Sequence, residues 1–372
     1  MAANAHAVLS ASSSSRWLKC PPSAKLCAEI PDSSTDYTRE GTCAHELAEY
    51  KLKTLLGCKL PDPTGNLDYY DQVMNDCTDD YVQYIAELLS KCSDPIVMVE
   101  QRLDFSKYVP EGFGTGDCVI IADNVLTVID YKHGKGVAVS AEQNTQMMLY
   151  ALGALDIFDM LYNISDVRMV IFQPRISNVS EYTVPVTQLL DWAENTLHPI
   201  ALLASKGEGE FCAGEHCRFC RVKATCRKRA EYNLSLARYD FTPPDMLEDD
   251  EVSAILDVAD SLVSWANDVK EYALSEALKG RKWRGYKVVE GISSRKYTDE
   301  KAVALAVKEH GENPYTEPEL LGITAMTRLL GKKTFDDVLG ALVKRTQGKP
   351  TLVPESDKRS EWSPAQEDFK EE

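Results

Sequence analysis

The pattern of hydrophobic and polar positions predicts several helices before the first strand. A polar stretch from Ala11 is expected to lead into a short helix that Pro21 and Pro22 end. Leucines then recur at helical intervals, which predicts a helix over residues 42–56 that begins at Thr42. An acidic, turn-rich loop over 61–80 and a helix over 81–91 are expected next.

Runs of aliphatic and β-branched residues predict strands over 96–103, 117–122 and 125–131, and Asp123-Asn124 suits a tight hairpin turn between the last two. A helix over 141–155 and a strand over 167–172 follow. The order of helix, three strands, helix and strand predicts an α/β fold with a mixed central sheet flanked by helices.

The C-terminal third has a different composition after Pro243-Pro244. We expect a first domain over residues 1–240, which includes a helix over 189–204, and a mainly helical second domain over 245–353. The second domain is expected to contain a long amphipathic helix over 250–279, a small β element over 282–297 and two helices over 299–331. Residues 354–372 are charged and poor in aliphatic side chains, which predicts a disordered acidic tail.

Composition limits the classes of protein. The chain has 372 residues, 44% of them hydrophobic, and a net charge of −17, which argues against nonspecific coating of nucleic acid but permits a local basic surface. No segment has the pattern of a signal peptide or of a membrane span. Eleven cysteines, irregularly spaced, fit a cytoplasmic protein with reduced thiols, so clustered cysteines suggest a metal centre.

Two acids and a lysine are the main candidates for chemistry. Asp130 and Lys132 end a strongly apolar predicted strand, and Asp117 lies on the strand before it, after two glycines. Two carboxylates at strand ends can hold a hard divalent cation, and a lysine two residues further points to the same face. This set fits phosphodiester hydrolysis; the alternative is a surface salt bridge at a hairpin.

Three other side chains extend this candidate site. His45, expected in the first turn of its helix, could project into a cleft as a nitrogen ligand that favours Mn²⁺ beside Mg²⁺, or be an ordinary partly buried histidine. Gln146 and Tyr150 are four residues apart on one helix and share a face. They could contact a phosphate, the lysine or a base, or simply form a solvated surface.

The cysteines at the end of the first domain have the spacing C-x2-C-x5-C, formed by Cys217, Cys220 and Cys226. Three thiols this close indicate a bound metal centre, which needs a fourth ligand whether it is zinc or an iron–sulfur cluster. Cys20 and Cys212 are both candidates. The other cysteines, Cys27 among them, receive no role. The basic residues of this segment could contact phosphates or balance the charge of the thiolates.

Together these motifs resemble the RecB-like branch of the PD-(D/E)XK nucleases, a restriction-endonuclease-like fold that includes the Cas4-like and AddB-type iron–sulfur nucleases. The matching motifs are G-x-x-x-H ending at His45, G-x-G-D ending at Asp117, D-x-K from Asp130 to Lys132, and Q-x-x-x-Y from Gln146 to Tyr150. The resemblance covers residues 10–230. The whole chain also resembles a phage or prophage family in which this nuclease precedes a helical extension.

The resemblance implies a role for each matching residue. His45, Asp117, Asp130 and the carbonyl of Tyr131 would bind Mg²⁺ or Mn²⁺. Lys132 would position the attacking water, and Gln146 and Tyr150 would organise the site and hold DNA. One cysteine before the core and three after it would carry a 4Fe–4S cluster that staples the N-terminus to the end of the domain; these are Cys20, Cys217, Cys220 and Cys226.

The expected function is therefore metal-dependent DNA cleavage, most simply exonucleolytic resection in phage-type recombination or replication in a bacterial host cytoplasm. The resemblance also implies a single-strand annealing recombinase as a partner. The sequence leaves open whether the protein forms a homo-oligomer. The main alternative is a non-catalytic DNA-binding or scaffold protein with a structural Zn²⁺ site made by four cysteines. A hydrolase of smaller phosphate esters is a third reading.

Overall fold

The structure is a computed structural model that describes residues 7–31, 35–158, 160–235, 247–289 and 331. It divides into two compact units, Met1–Glu276 and Ala277–Glu372. The first unit contains a five-stranded mixed sheet flanked by helices, as the order of elements predicted. The strands are β1 (Ile96–Asp104), β2 (Phe113–Ala122), β3 (Val125–Tyr131), β4 (Asp166–Gln173) and β5 (Asn178–Pro185).

Helices precede, interrupt and follow these strands. Those before and within the sheet are α1 (Ser14–Trp17), α2 (Ser23–Ala28), α3 (Asp36–Leu55), α4 (Gln72–Leu89) and α5 (Thr145–Phe158). Those after the sheet are α6 (Val186–Trp192), α7 (His198–Lys206), α8 (Arg227–Leu234) and α9 (Asp249–Leu278). A π-helical turn, Ala193–Leu197, joins α6 to α7, so the helix predicted over 189–204 is longer and irregular.

The strands lie in the order β1-β2-β3-β4-β5, and only the β3–β4 pair is parallel. The predicted turn at Asp123-Asn124 is present, with φ values of 51° and 62°. Positive φ at both central residues is what a two-residue hairpin with matching strand twist requires, and Asp and Asn tolerate it. The parallel pair needs a crossover, which α5 supplies.

Helices cover both faces of the sheet and enclose two hydrophobic clusters. The apolar helix α5 lies on one face, where its buried residues pack with Leu103, Val119 and Val128. The opposite face is covered by α3 and α4, whose Leu47 and Tyr81 pack with sheet residues such as Ile129. Burial on both faces holds the centre of the sheet rigid, so the ends of β2 and β3 are well positioned for a site.

Two helices begin earlier than predicted. The helix expected at Thr42 begins at Asp36, because Thr35 caps it and exchanges hydrogen bonds with Thr38. His45 therefore lies in the third helical turn, not the first. Likewise α4 begins at Gln72, after the cap Asp71, so the second half of the predicted acidic loop is helical. Strand β5, which we did not predict, forms a sheet edge with alternating exposure.

The helix α9 is close to the predicted 250–279 and is joined to the segment that follows the sheet. Asp268, almost fully buried, pairs with Arg229 at 2.5 Å and with Lys223 at 2.8 Å. Residues 282–289 of the predicted β element contain no strand. The rest of that element, the helices expected over 299–331 except residue 331, and the expected tail lie outside the described residues. Within the described part of the chain, no helix has the length and apolarity to cross a membrane.

Candidate metal centre and thiol cavity

Three carboxylates lie in one row across β1, β2 and β3. The β1–β2 register is the same on both sides of Glu100 and places it opposite Asp117. The β2–β3 ladder ends at Cys118 and Ile129, and one step further the same register places Asp130 opposite Asp117. Opposed residues on antiparallel strands are close neighbours, so the sheet itself gathers the two predicted aspartates.

The carboxylate of Asp117 is held by two other elements. Its Oδ1 lies 3.3 Å from Nδ1 of His45 on α3, and its Oδ2 accepts a 2.7 Å hydrogen bond from the backbone N–H of Tyr131. The His45 ring packs edge-on against the buried Tyr131 ring. The structure therefore brings His45, from the middle of α3, and Asp117 together with the N–H and ring of Tyr131, whereas the resemblance implied a role for the Tyr131 carbonyl.

Electrostatics favour the charged forms of this pair in the metal-free protein. Burial opposes the imidazolium, but the charge and hydrogen bond of Asp117 outweigh it and raise the pKa of His45 to about 9. Burial likewise opposes the Asp117 carboxylate, yet His45 and Lys132 hold its pKa below the usual range. A cation bound here would replace the proton on His45.

Glu100 is a site residue that the sequence reasoning missed. One ligand atom each from His45, Glu100 and Asp117 fall within 4.8 Å of one another, the only such group of three or more His, Cys, Asp or Glu side chains among the described residues. Glu100 has a φ of 52°, unusual for a residue other than glycine. Burial, then the charge of Asp117, raise its pKa to about 7. An acid within a predicted strand was the only signal.

Asp130 lies outside that group and is held by polar neighbours on the other side. Lys132 Nζ lies 2.9 Å from Asp130 Oδ2, and Gln146 Nε2 donates to Asp130 Oδ1 at 3.0 Å. Gln146 Oε1 accepts from Lys132 at 3.4 Å. Asp130 Oδ2 is buried and accepts no well-aligned hydrogen bond from any described residue, so it keeps a lone pair for a further ligand.

The second predicted pair on α5 also faces this site. Gln146 Nε2 donates to the Tyr150 hydroxyl at 3.3 Å. Tyr150 is 7% exposed, so its ring packs inside the protein and steadies Gln146 instead of lying on the surface as a DNA contact. Gly114 makes room for that ring: a Cβ there would lie 2.7 Å from a Tyr150 ring carbon. The predicted close approach of backbone at this glycine is present.

The charges around Asp130 fix the state of the lysine. Burial raises the pKa of Asp130, with Lys132 opposing that shift, whereas the attraction of Asp130 outweighs burial and raises the pKa of Lys132. Lys132 therefore stays cationic at neutral pH. It is placed to stabilise negative charge and to orient a water, and not to accept a proton.

The predicted cysteines line one cavity between the N-terminal segment and the segment before α8. Both candidates for the fourth ligand, Cys20 and Cys212, line it with Cys217, Cys220 and Cys226. The N-terminal and C-terminal cysteines of the expected staple thus meet, although they are about two hundred residues apart in sequence. Arg16 and Arg229, both buried, also line this cavity.

Cys27, for which we predicted no role, contacts this group. Its Sγ lies 3.7 Å from Sγ of Cys220 and accepts a 3.3 Å hydrogen bond from the backbone N–H of Arg221. The contact with Cys220 lowers the pKa of the Cys27 thiol and raises that of Cys220. No three cysteine sulfurs among the described residues come within 4.8 Å of one another.

The fold and the site define a mixed α/β protein with a His–Glu–Asp group suited to a divalent cation and a separate cavity rich in thiols. Residues 6–360 match the family described as "Protein of unknown function (DUF2800)", and the chain belongs to that family. Among solved structures, the chain is similar to the one described as "Crystal structure of SSO0001", at 14% identity and a TM-score of 0.25. That match covers 57% of this chain and 95% of the other.

Proposed function

We propose that this protein is a divalent-metal-dependent deoxyribonuclease, acting as an exonuclease on DNA ends. The observation that carries the proposal is the convergence of His45, Asp117, Asp130, Lys132 and Gln146 from α3, β2, β3 and α5 at one end of the sheet. A DNA-binding module without catalysis has no need of a buried acid beside a half-buried lysine.

The donor set fits Mg²⁺ or Mn²⁺, since carboxylates suit both ions and imidazole favours the latter. Asp130 Oδ2, buried and without a well-aligned hydrogen bond, is available to such an ion together with Asp117 and the Tyr131 carbonyl. A bound ion would supply an activated water and neutralise the leaving oxygen. Lys132 holds its ammonium group beside Asp130, where charge develops on a scissile phosphate, and Gln146 keeps both side chains in place.

A basic surface beside the thiol cavity supports DNA as the substrate. Six Arg or Lys side chains and no acid lie between Cys217 and Arg229. Half of them hydrogen-bond to backbone carbonyls or pair with Asp268; these are Arg221, Lys223 and Arg229. The others, Arg218, Arg227 and Lys228, are exposed, and Arg218 lies over the exposed Phe219 ring. Exposed cations with aromatic rings suit a single strand, by phosphate contact and base stacking.

For the thiol cavity we propose a 4Fe–4S cluster in preference to zinc. A single tetrahedral Zn²⁺ with four thiolates needs sulfur atoms about 3.8 Å apart, given Zn–S bonds of about 2.3 Å. No three of the described cysteine sulfurs lie within 4.8 Å of one another, which favours a larger centre. Its role would be structural, because it ties the N-terminal segment to the segment before α8.

The experiment compares cleavage of end-labelled linear and circular DNA by anaerobically purified protein with Mg²⁺, Mn²⁺ or EDTA. The parent should degrade linear DNA with metal, and Asp130→Asn should not. Asp166→Asn, at the other end of the neighbouring strand β4, is the matched control and should cleave like the parent. DNA binding without cleavage by the parent would refute the nuclease and favour the scaffold alternative. A colourless protein with equimolar zinc would refute the cluster alone.

A further inference from the structure

A narrow cavity adjoins the group of His45, Glu100 and Asp117 on the side of α3 and α4. It leaves no room for a water molecule and is lined by those three side chains together with Glu49 and Tyr81. Residues of the two helices and the acids of β1 and β2 therefore line it together. The cavity lies where β1 departs from regular geometry, at Glu100.

The backbone at Glu100 gives a reason to look for a ligand. A glutamate with a φ of 52° adopts a left-handed conformation that non-glycine residues rarely occupy, and such strain clusters at functional sites. Its position opposite Asp117 sets two carboxylates side by side. No described residue donates a hydrogen bond to the Glu100 carboxylate. A negative charge on it is therefore balanced by His45 and by any cation that binds to the group.

Tyr81 provides an independent observation. Tyr81 is 1% exposed and lines the same cavity, and its hydroxyl has no hydrogen-bond partner among the described residues. Buried hydroxyls are nearly always paired, so this one indicates a polar group that reaches it when the site is filled. Among the residues around the cavity, a carboxylate that shifts to bind a cation is a suitable acceptor.

We propose that His45, Glu100 and Asp117 form a cation position of their own, selective for Mn²⁺ over Mg²⁺, with Tyr81 as a positioning residue. Glu100 from β1 thus joins His45 and Asp117 as a ligand, whereas Asp130 lies outside this group, beside Lys132 and Gln146. The inference rests on the proposed function because it assigns the metal of that same site, but metal binding can be measured without cleavage.

The test measures Mn²⁺ affinity by electron paramagnetic resonance and the thermal midpoint with and without Mn²⁺. Glu100→Gln should weaken Mn²⁺ binding at least about tenfold, since even the outer-shell partners of ligands act on that scale, and should lose the midpoint rise that Mn²⁺ gives the parent. In EDTA it should unfold no earlier than the parent, since it removes one of two apposed carboxylates. The matched control is Glu49→Gln, which lines the same cavity but pairs with Lys53 and should bind Mn²⁺ like the parent.

Tyr81→Phe should weaken Mn²⁺ binding by less than Glu100→Gln and should keep the parent's midpoint in EDTA. Parental Mn²⁺ affinity in Glu100→Gln, or equal weakening by Glu49→Gln, would overturn the assignment while leaving the nuclease intact. A parent that binds Mn²⁺ through Glu100 yet cleaves no DNA would refute the proposed function and keep the metal position. A parent that binds no Mn²⁺ would overturn both.

Discussion

Metal binding at His45 should release protons, and the number released can be worked out from the structure. In the metal-free protein Asp117 raises the pKa of His45 to about 9, against the opposing effect of burial. The pKa of Glu100 is raised to about 7, first by burial. Ligation requires the neutral imidazole and the carboxylate, so at about pH 7 each cation should displace about 1.5 protons, about one from His45 and about half from Glu100.

The affinity should follow the same titration. With a His45 pKa of about 9, deprotonation of the imidazole at about pH 7 would cost about 2.7 kcal/mol without solvent screening. Since 34% of the His45 side chain is exposed, solvent screening reduces this to about 1–2 kcal/mol. Apparent affinity should therefore rise about five- to thirtyfold from about pH 7 to about pH 9. In the absence of metal, rising pH has the opposite effect, on folding stability. The His45–Asp117 pair gives its full stabilisation at pH values below the ordinary histidine pKa, and this stabilisation is lost as the pH rises through about 9.

Isothermal titration calorimetry with Mg²⁺ or Mn²⁺, in two buffers of different ionisation enthalpy, gives the proton count directly. His45→Gln should lower the number of protons released by about one at about pH 7, because only Glu100 still releases its share. His198→Gln, which removes a half-buried histidine on α7 that contacts the Tyr108 carbonyl, is the control and should keep the parental count. Binding by the parent without proton release, or an unchanged count in His45→Gln, would refute the reasoning.

Two predictions concern the parts that support the site. Gly114→Ala places a methyl group against the Tyr150 ring and should cost about 1–3 kcal/mol in urea unfolding with reduced cleavage, while Gly41→Ala meets no atom within 4 Å and should cost nothing. Asp268→Ala leaves the buried Arg229 without its carboxylate partner and should lower the free energy of unfolding by about 3–5 kcal/mol. The control Asp260→Ala, at an exposed position, should not lower it. Lysine and arginine hold the pKa of Asp268 low, against burial, so its contribution should be lost as the pH falls into the acid range. Equal losses in a variant and its control would contradict either prediction.

The sheet was predictable where periodicity and turn chemistry agree. Strand β3 has the predicted bounds because it is an unbroken apolar run that follows a two-residue Asp-Asn turn. The start of α3 was not predicted, because Gly41 suggested a turn although packing of the helix against the sheet overrides that preference. Strand β5 was missed because it is an edge strand whose exposed residues make it resemble a loop.

The thiol cavity was predictable in its dense part only. The spacing of Cys217, Cys220 and Cys226 is local, and it indicated a shared centre without any knowledge of the fold. The approach of Cys27 to Cys220 depends on how α2 packs, which nothing near Cys27 in the sequence specifies. Contacts between segments two hundred residues apart leave no periodic pattern in the sequence. The sequence therefore could not show whether Cys27 lies beside the cavity or apart from it.

The same distinction explains why one pair of site acids was found and the third acid was missed. A two-residue turn fixes the register of the strands it joins. Counting back from Asp123-Asn124 puts Asp117 opposite Asp130, so that pair could be placed from sequence. Residues 105–112 join β1 to β2 with no such turn, so the sequence leaves that register open. Glu100 comes opposite Asp117 only through packing of the whole sheet, and its left-handed backbone is a tertiary feature. Metal titration of Glu100→Gln and of Asp130→Asn measures how much each of the two acids contributes to cation binding.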